Sequence, residues 1–280
     1  MINKWLRTHI QLVTVLLIAF LFIFVTVIAI VLTVPKKDNN HESSEETNQT
    51  VSFPEISLPD DIFNDFICDH QLNDFEDSYF ENDEELIYSY ASYPVISSEN
   101  SENTDIINNS IYEFVVSKSS VKEHEIILAI EKFERASMNA EGFIQFEFIL
   151  KTESVIVKEK FISILFSYSR TVSLSEPTYE YFSLCFDLTS GEEADFSDII
   201  AKNAEESSDY IASIISQDIL INPNIYYTNA KDDLKYCIDL NSFYLSDNGA
   251  VIYFNPETLT PGVYGIRTFL VPYEKIGYKN

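Results

Sequence analysis

Phe143-Ile-Gln-Phe-Glu-Phe-Ile-Leu150, Phe161-Ile-Ser-Ile-Leu-Phe-Ser-Tyr168 and Tyr179-Glu-Tyr-Phe-Ser-Leu-Cys-Phe-Asp187 follow one another through short links. In the first run Ile144, Phe146, Phe148 and Leu150 fall on one side of a two-residue period, with Gln145 and Glu147 on the other. Side chains alternate across a strand, so this spacing predicts strands with one buried face. Ile162, Ile164, Phe166 and Tyr168 repeat the pattern, and so do Phe182, Leu184 and Phe186. Short links imply antiparallel pairing, because a parallel return needs a long crossover.

Working outward, Leu86 to Ser97 reads as a strand, and Pro94, which lacks a donor, points to an edge position. Thr104 is placed to cap a helix whose Ile107, Ile111, Phe114 and Val115 share a face. Ser120-x-x-Glu123 has the form of a capping box, followed at helical spacing by Ile126, Ile127, Ile130 and Phe133. Beyond the three strands, Ser197 to Leu220 predicts a helix with Tyr210, Ile211, Ile214 and Ile215 on its apolar side. A hairpin follows, with Asp247-Asn248-Gly249 as the turn between Phe243–Leu245 and Val251–Phe254. A last strand near Thr268–Tyr273 comes after Pro261-Gly262. The class is α+β, a mainly antiparallel sheet packed with helices, without the strand–helix–strand alternation of doubly wound folds.

The N-terminal part has a different chemistry. Leu12 to Val34 is uncharged over 23 residues, of which eighteen are Leu, Ile, Val or Phe. About 20 apolar residues span a bilayer core, and burying these gains roughly 5–11 kcal/mol. Pro35 stands just past the run, and the exit Ile30-Val31-Leu32-Thr33-Val34 lacks the small residues of a signal-peptide cleavage site. An uncleaved transmembrane helix at 12–34, preceded by a tail at 1–11, is expected. Lys4 and Arg7 balance Lys36 and Lys37, so flanking charge leaves orientation open.

Residues 1–37 hold those four bases and no acid, so residues 38–280 carry 14 bases against 45 acids, a net charge of −31. Such a surface repels nucleic acid and attracts cationic partners in a salt-dependent way; the alternative is that it only keeps the domain soluble. Residues 38–85 contain sixteen Asp or Glu and no Lys or Arg. With Phe63, Phe66, Phe75, Tyr79 and Phe80 among the acids, residues 35–85 read as an acidic stalk or partly ordered linker. The expected division is then a small α+β module at 86–160 and a C-terminal α+β domain at 161–280.

Ile162-Ser163-Ile164, Phe186-Asp187-Leu188-Thr189-Ser190-Gly191, Phe243-Tyr-Leu-Ser-Asp-Asn-Gly249, Pro261-Gly-Val-Tyr-Gly265 and Val271-Pro272-Tyr273 occur in an order that resembles a known family. It is the extracellular domain of the lysozyme-responsive anti-sigma-V factor and its relatives, also found beside peptidoglycan deacetylase domains. Tyr93-Pro94-Val95-Ile96 before the Asn108-Asn109 helix is similar to the smaller module preceding it. The resemblance covers residues 86–280 and rests on Asp187, Gly191, Asp247, Gly249, Pro261, Gly265, Pro272 and Tyr273. It implies a single-pass cell-membrane protein with the N-terminus in the cytoplasm, the C-terminal domain outside, and a lysozyme-like cationic protein or envelope component as partner. Family members often carry a Gly-Ala-His type turn between the central strands, where this chain reads Leu174-Ser175-Glu176-Pro177. The short stretch Met1–Ile10 leads us to expect no anti-sigma activity.

The chemical inventory is sparse. Histidines stand at 9, 41, 70 and 124, leaving none for a triad or His-rich metal site in the main domain. No GxGxxG, P-loop, GxSxG or HExxH pattern occurs, so no cofactor or metal is expected. Cys185 and Cys237 are the candidate disulfide pair of an oxidising compartment, with Cys68 left over; three reduced thiols is the alternative. Tyr179 and Tyr181 lie off the apolar face, where exposed Tyr among acids makes a contact surface. A non-catalytic binding or sensing module is the expectation. A structural accessory of the envelope, or a hydrolase using Glu192-Glu193 or Asp232-Asp233, stays open.

Overall fold

Asn82 and Asp83 both have positive φ, 52° and 67°, a conformation that Asn and Asp tolerate better than other side chains with a Cβ. They turn strand β1 (Cys68–Glu81) back onto β2 (Glu84–Ser98), with Glu81 opposite Glu84. The computed structural model describes residues 68–98, 101–172, 176–200 and 204–278, all within a compact unit spanning Leu58–Asn280. The expected membrane helix at 12–34 and the tail before it lie outside the described residues. Among those described, no helix is long and apolar enough to cross a membrane.

The hairpin corrects the reading of 35–85 as linker throughout. Residues 68–81 are the outer strand of a five-stranded sheet, ordered β1-β2-β3-β4-β5, with β3 at Phe146–Lys158, β4 at Phe161–Thr171 and β5 at Thr178–Asp187. Phe75 and Tyr79 pack inward while Asp74 and Glu76 stay exposed, so this part of the acid-aromatic stretch is an amphipathic strand; the expected stalk at 35–67 lies outside the described residues. β2 is therefore interior. Pro94 is still accommodated, because β3 pairs only with Ile87–Ser92. Beyond that ladder the Asn108 carboxamide takes the partner's place, accepting from Ile96 N at 2.7 Å and donating to Ile96 O at 2.8 Å.

β2 and β3 run parallel, while the other pairings of this sheet are antiparallel, including the three short-linked strands β3, β4 and β5 as expected. The crossover is supplied by α1 (Ser101–Ser119) and α2 (Glu123–Met138), which cover one sheet face. Ile107, Ile111 and Val115 of α1 join Ala91, Leu150, Ile164, Phe166 and Phe186 in one core cluster. Ala129 and Phe133 of α2 pack with Leu86, Phe146 and Phe148. Ile127 instead points out, 60% exposed. Helix α2 is not capped through Ser120 and Glu123: the Glu125 carboxylate accepts from Lys122 N at 3.0 Å, satisfying an orphan donor of the first turn.

Among the described residues the other face of the sheet is covered at one end only, by α3 (Phe196–Ile199), α4 (Ala204–Ile221), α5 (Ala230–Cys237), a small sheet β6-β7-β8 and α6 (Tyr273–Ile276). The strands are β6 (Phe243–Ser246), β7 (Gly249–Phe254) and β8 (Arg267–Pro272). The helix expected at 197–220 is interrupted, since the backbone at Ile200 is extended (φ −104°, ψ 141°). Ile211, Ile215 and Ile219 share a core cluster with Phe161, Ile252, Phe254 and Phe269. Phe161 to Phe166 is consequently buried on both faces, where alternation predicted one.

Polar bonds stitch this layer to the large sheet. Leu245 N donates to Ser163 Oγ at 3.0 Å, and Tyr278 OH donates to Lys158 O at 2.9 Å. Asn255 brackets the Tyr181 backbone, accepting from its N at 2.7 Å and donating to its O at 3.0 Å. A division at 160/161 would cut the β3–β4 hairpin between Lys158 and Phe161, so the two expected modules are one body with a shared sheet.

Gly249 follows the Asp247-Asn248 turn, but its φ is not positive. Glycine is needed there for close approach: a Cβ would stand 2.3 Å from Val271 O of the adjacent strand. Gly249→Ala should therefore lower unfolding free energy by roughly 2–3 kcal/mol, as forced overpacking does, read by urea denaturation.

Candidate functional site

Strand register sorts the large sheet into a helix-covered face and an opposite one. On the opposite face, Tyr88, Tyr90 and Ser92 of β2 lie beside Ser78, Glu76 and Asp74 of β1. On the other flank they meet Glu147, Ile149 and Lys151 of β3. The C-terminal layer reaches the Phe161, Ser163 and Cys185 end of this face, and the Asp74 and Glu76 carboxylates of β1 are exposed. Tyr90 OH donates to Asp74 Oδ1 at 2.7 Å, and Tyr88 OH donates to Glu76 Oε1 at 3.4 Å. Each phenol reaches diagonally across the strand pair, the separation that long side chains bridge in sheets.

The electrostatics follow from this geometry. Its hydrogen bond to Asp74 raises the Tyr90 phenol above its ordinary value, and burial followed by the charge of Glu76 raises that of Tyr88. Both stay protonated donors at neutral pH. Among the described residues five ion pairs occur, and none includes Asp74 or Glu76. Lys151 lies two strands from Asp74, about 10 Å at the spacing of neighbouring strands. The result is a half-covered aromatic pair beside two carboxylates that have no counter-ion among the described residues.

The expected site residues are distributed elsewhere. Tyr179 is 56% exposed. Tyr181 is part of the seam between the sheets, its ring 6.0 Å from that of Tyr253. Asp187 and Gly191 form the turn after β5, with Gly191 N donating to Asp187 O at 2.7 Å. Lys160 Nζ stands 2.8 Å from the Asp187 carboxylate. Gly191 has φ 78°, and a Cβ there would meet Asn103 O at 2.9 Å. Asp247 is exposed in the β6–β7 turn. Pro261 and Gly265 bound the short 3₁₀ turn Gly262–Tyr264, while Pro272 ends β8 and Tyr273 OH donates to Ser246 O at 2.6 Å. These eight residues shape turns and strand ends. Gly249 faces Pro272 in register, which gathers Asp247, Gly249, Pro272 and Tyr273 at one hairpin end, while Asp187 with Gly191 and Pro261 with Gly265 stand in turns of their own.

All three cysteines are free thiols. Cys185 is buried and Cys237 half-buried, both at the C-terminal core. Cys185 lines a cavity of about 360 Å³ with Ser183, Glu193, Asp195, Asp198 and Asn241. Burial pushes its thiol up to about 12, so it is protonated and a poor nucleophile at neutral pH. Asp195 is occupied as the N-cap of α3, accepting from Ser197 N and Asp198 N. Among the described residues no group of three His, Cys, Asp or Glu is placed to hold a metal ion. Of the acid pairs, Glu192 and Glu193 are exposed, and Asp232 and Asp233 stand in the first turn of α5, where negative charge favours a helix N-terminus.

Sequence reading missed a second tyrosine–carboxylate group, inside the C-terminal layer. Asp218 Oδ2 accepts from Tyr226 OH and, at 2.9 Å, from an Arg267 NH₂ group. The guanidinium carbon lies 5.8 Å from the Tyr226 ring centroid. Burial opposes ionisation of Asp218, but the bonds from Tyr226, Asn222 and Arg267 outweigh it and hold the carboxyl below its ordinary 3.8. A carboxylate held low contributes stability fully above its unfolded value and loses it as pH falls through the lower folded value. The stability gap between the native chain and Asp218→Asn should thus be present at neutral pH and close as pH falls below about 4, measured by urea unfolding across pH.

Residues 197–274 match the model of a family described as a protein of unknown function, DUF3298. A crystal structure of a DUF3298 family member from Bacteroides fragilis superposes with a TM-score of 0.52 at 14% identity, covering 77% of this chain and 94% of that one. A DUF3298 family protein from Pseudomonas aeruginosa gives a TM-score of 0.46 at 9% identity, covering 77% and 95%. No curated protein matches the sequence. The first likeness shows a shared fold.

Proposed function

We propose that the chain is a non-catalytic binding module, held at the cell membrane by Leu12–Val34 and displaying its α+β domain outside, that recognises a cationic protein. The observation that carries this reading is the open sheet face, where Asp74 and Glu76 flank Tyr88 and Tyr90 without a counter-ion among the described residues. Tyrosine supplies contact area at low entropic cost, and unpaired surface carboxylates steer cations. The net charge of −31 over residues 38–280 adds long-range attraction of the same sign. Resemblance to the lysozyme-responsive anti-sigma-V factor's outer domain makes lysozyme the first probe.

Two experiments test the two halves of the proposal. The full chain in mild detergent, titrated with lysozyme, should bind at low salt and lose about tenfold or more in affinity at moderate salt. Absence of binding at tens of micromolar removes lysozyme as partner. Protease added to intact cells should digest the C-terminal domain; protection until permeabilisation contradicts the outward placement.

A further inference from the structure

The geometry points to arginine, in preference to lysine, as the side chain that the open face receives from its partner, an inference that rests on the binding role proposed above. The chain itself contains the template. At Asp218 a tyrosine hydroxyl and an arginine N–H converge on one carboxylate, with the guanidinium 5.8 Å from the Tyr226 ring centroid. Tyr90–Asp74 and Tyr88–Glu76 repeat the tyrosine–carboxylate half of that group without the arginine. In each open pair one carboxylate oxygen accepts from a phenol, and no described residue donates to the other oxygen.

A guanidinium fits such a pair for reasons that an ammonium does not share. It is planar, weakly hydrated and fork-shaped, so it stacks on a phenol ring while an in-plane N–H reaches the adjacent carboxylate. An ammonium answers the charge but stays strongly hydrated and has no flat face. The two pairs are offset by two residues along β2, about 7 Å at strand rise, so two arginines of a single partner segment can be received side by side.

The full chain should be titrated with nona-arginine and nona-lysine at one fixed, low ionic strength. Nona-arginine is expected to bind roughly tenfold tighter, the effect of adding stacking at two rings to equal charge. The variant Tyr88→Leu with Tyr90→Leu should lose that preference, its affinities for the two peptides falling within about twofold of each other, and Tyr88→Phe with Tyr90→Phe should retain it, because the rings remain. Equal affinities for the two peptides in the native chain overturn arginine selectivity but leave cation binding standing. Binding of neither peptide overturns both, and a preference that survives in the leucine variant places the selectivity elsewhere. If the leucine variant unfolds, loss of the preference in the folded phenylalanine variant likewise overturns ring stacking.

Discussion

Phe166→Ala lowers the unfolding free energy by about 3–5 kcal/mol, the range for truncating a large buried aromatic. Phe166 is fully buried on β4, its ring 5.2 Å from that of Phe114 on α1. Phe182 stands opposite it in register on β5, and its ring is 6.0 Å from Phe114. The three rings wedge the helix layer onto the sheet, so alanine leaves a cavity that neither a rigid strand nor a helix can close. With total stability of the order of 5–15 kcal/mol, much of the folded margin goes. Phe80, 57% exposed on β1, is the control, and its truncation should change stability by less than about 0.5 kcal/mol. Urea unfolding followed by circular dichroism reads both; a loss under about 1 kcal/mol at Phe166 contradicts this packing.

Reversing charge at the open face, Asp74→Lys together with Glu76→Lys, is expected to weaken lysozyme binding at least about thirtyfold. Replacing an attractive charge by a like one costs several kcal/mol at a contact, reduced here because the site is half-wetted. The fold should persist, since both carboxylates are exposed and belong to none of the ion pairs of the described residues. The tyrosine hydroxyls lose their acceptors to water at little expense. An unchanged thermal midpoint with lost binding is the predicted result; full affinity in the folded variant argues that the partner docks elsewhere.

The strands at the centre of the domain were legible because Phe146, Phe148, Leu150, Ile162, Ile164 and Phe166 alternate without interruption, and all are buried. Less was legible where two layers share one strand: Leu165 and Ser163 look wetted by period, yet both are buried, and Ser163 Oγ accepts from Leu245 N of β6. The parallel return of β2 onto β3 depends on two helices as crossover, a relation that local periodicity does not encode. β1 resembles a linker in sequence because, apart from Cys68 at its start, Phe75 and Tyr79 alone mark its inner side over 14 residues. The open face was hidden by the same misreading. Asp74 and Glu76 gain meaning only once a hairpin sets them diagonal to Tyr90 and Tyr88, and the sole local hint was the turn-prone Asn82-Asp83. The Asp218, Tyr226 and Arg267 group joins α4 to β8 across 49 residues, beyond any local signal.

Hydroxyl-radical footprinting of the full chain, free and saturated with its cationic partner, tests the site assignment most directly because it reads side chains one by one. Oxidation of Tyr88 and Tyr90 should fall several-fold in the complex, while Tyr236, 77% exposed on α5, keeps its rate. Protection of Tyr236 with Tyr88 and Tyr90 still oxidised as in the free chain would contradict the assignment of the β1–β2 face.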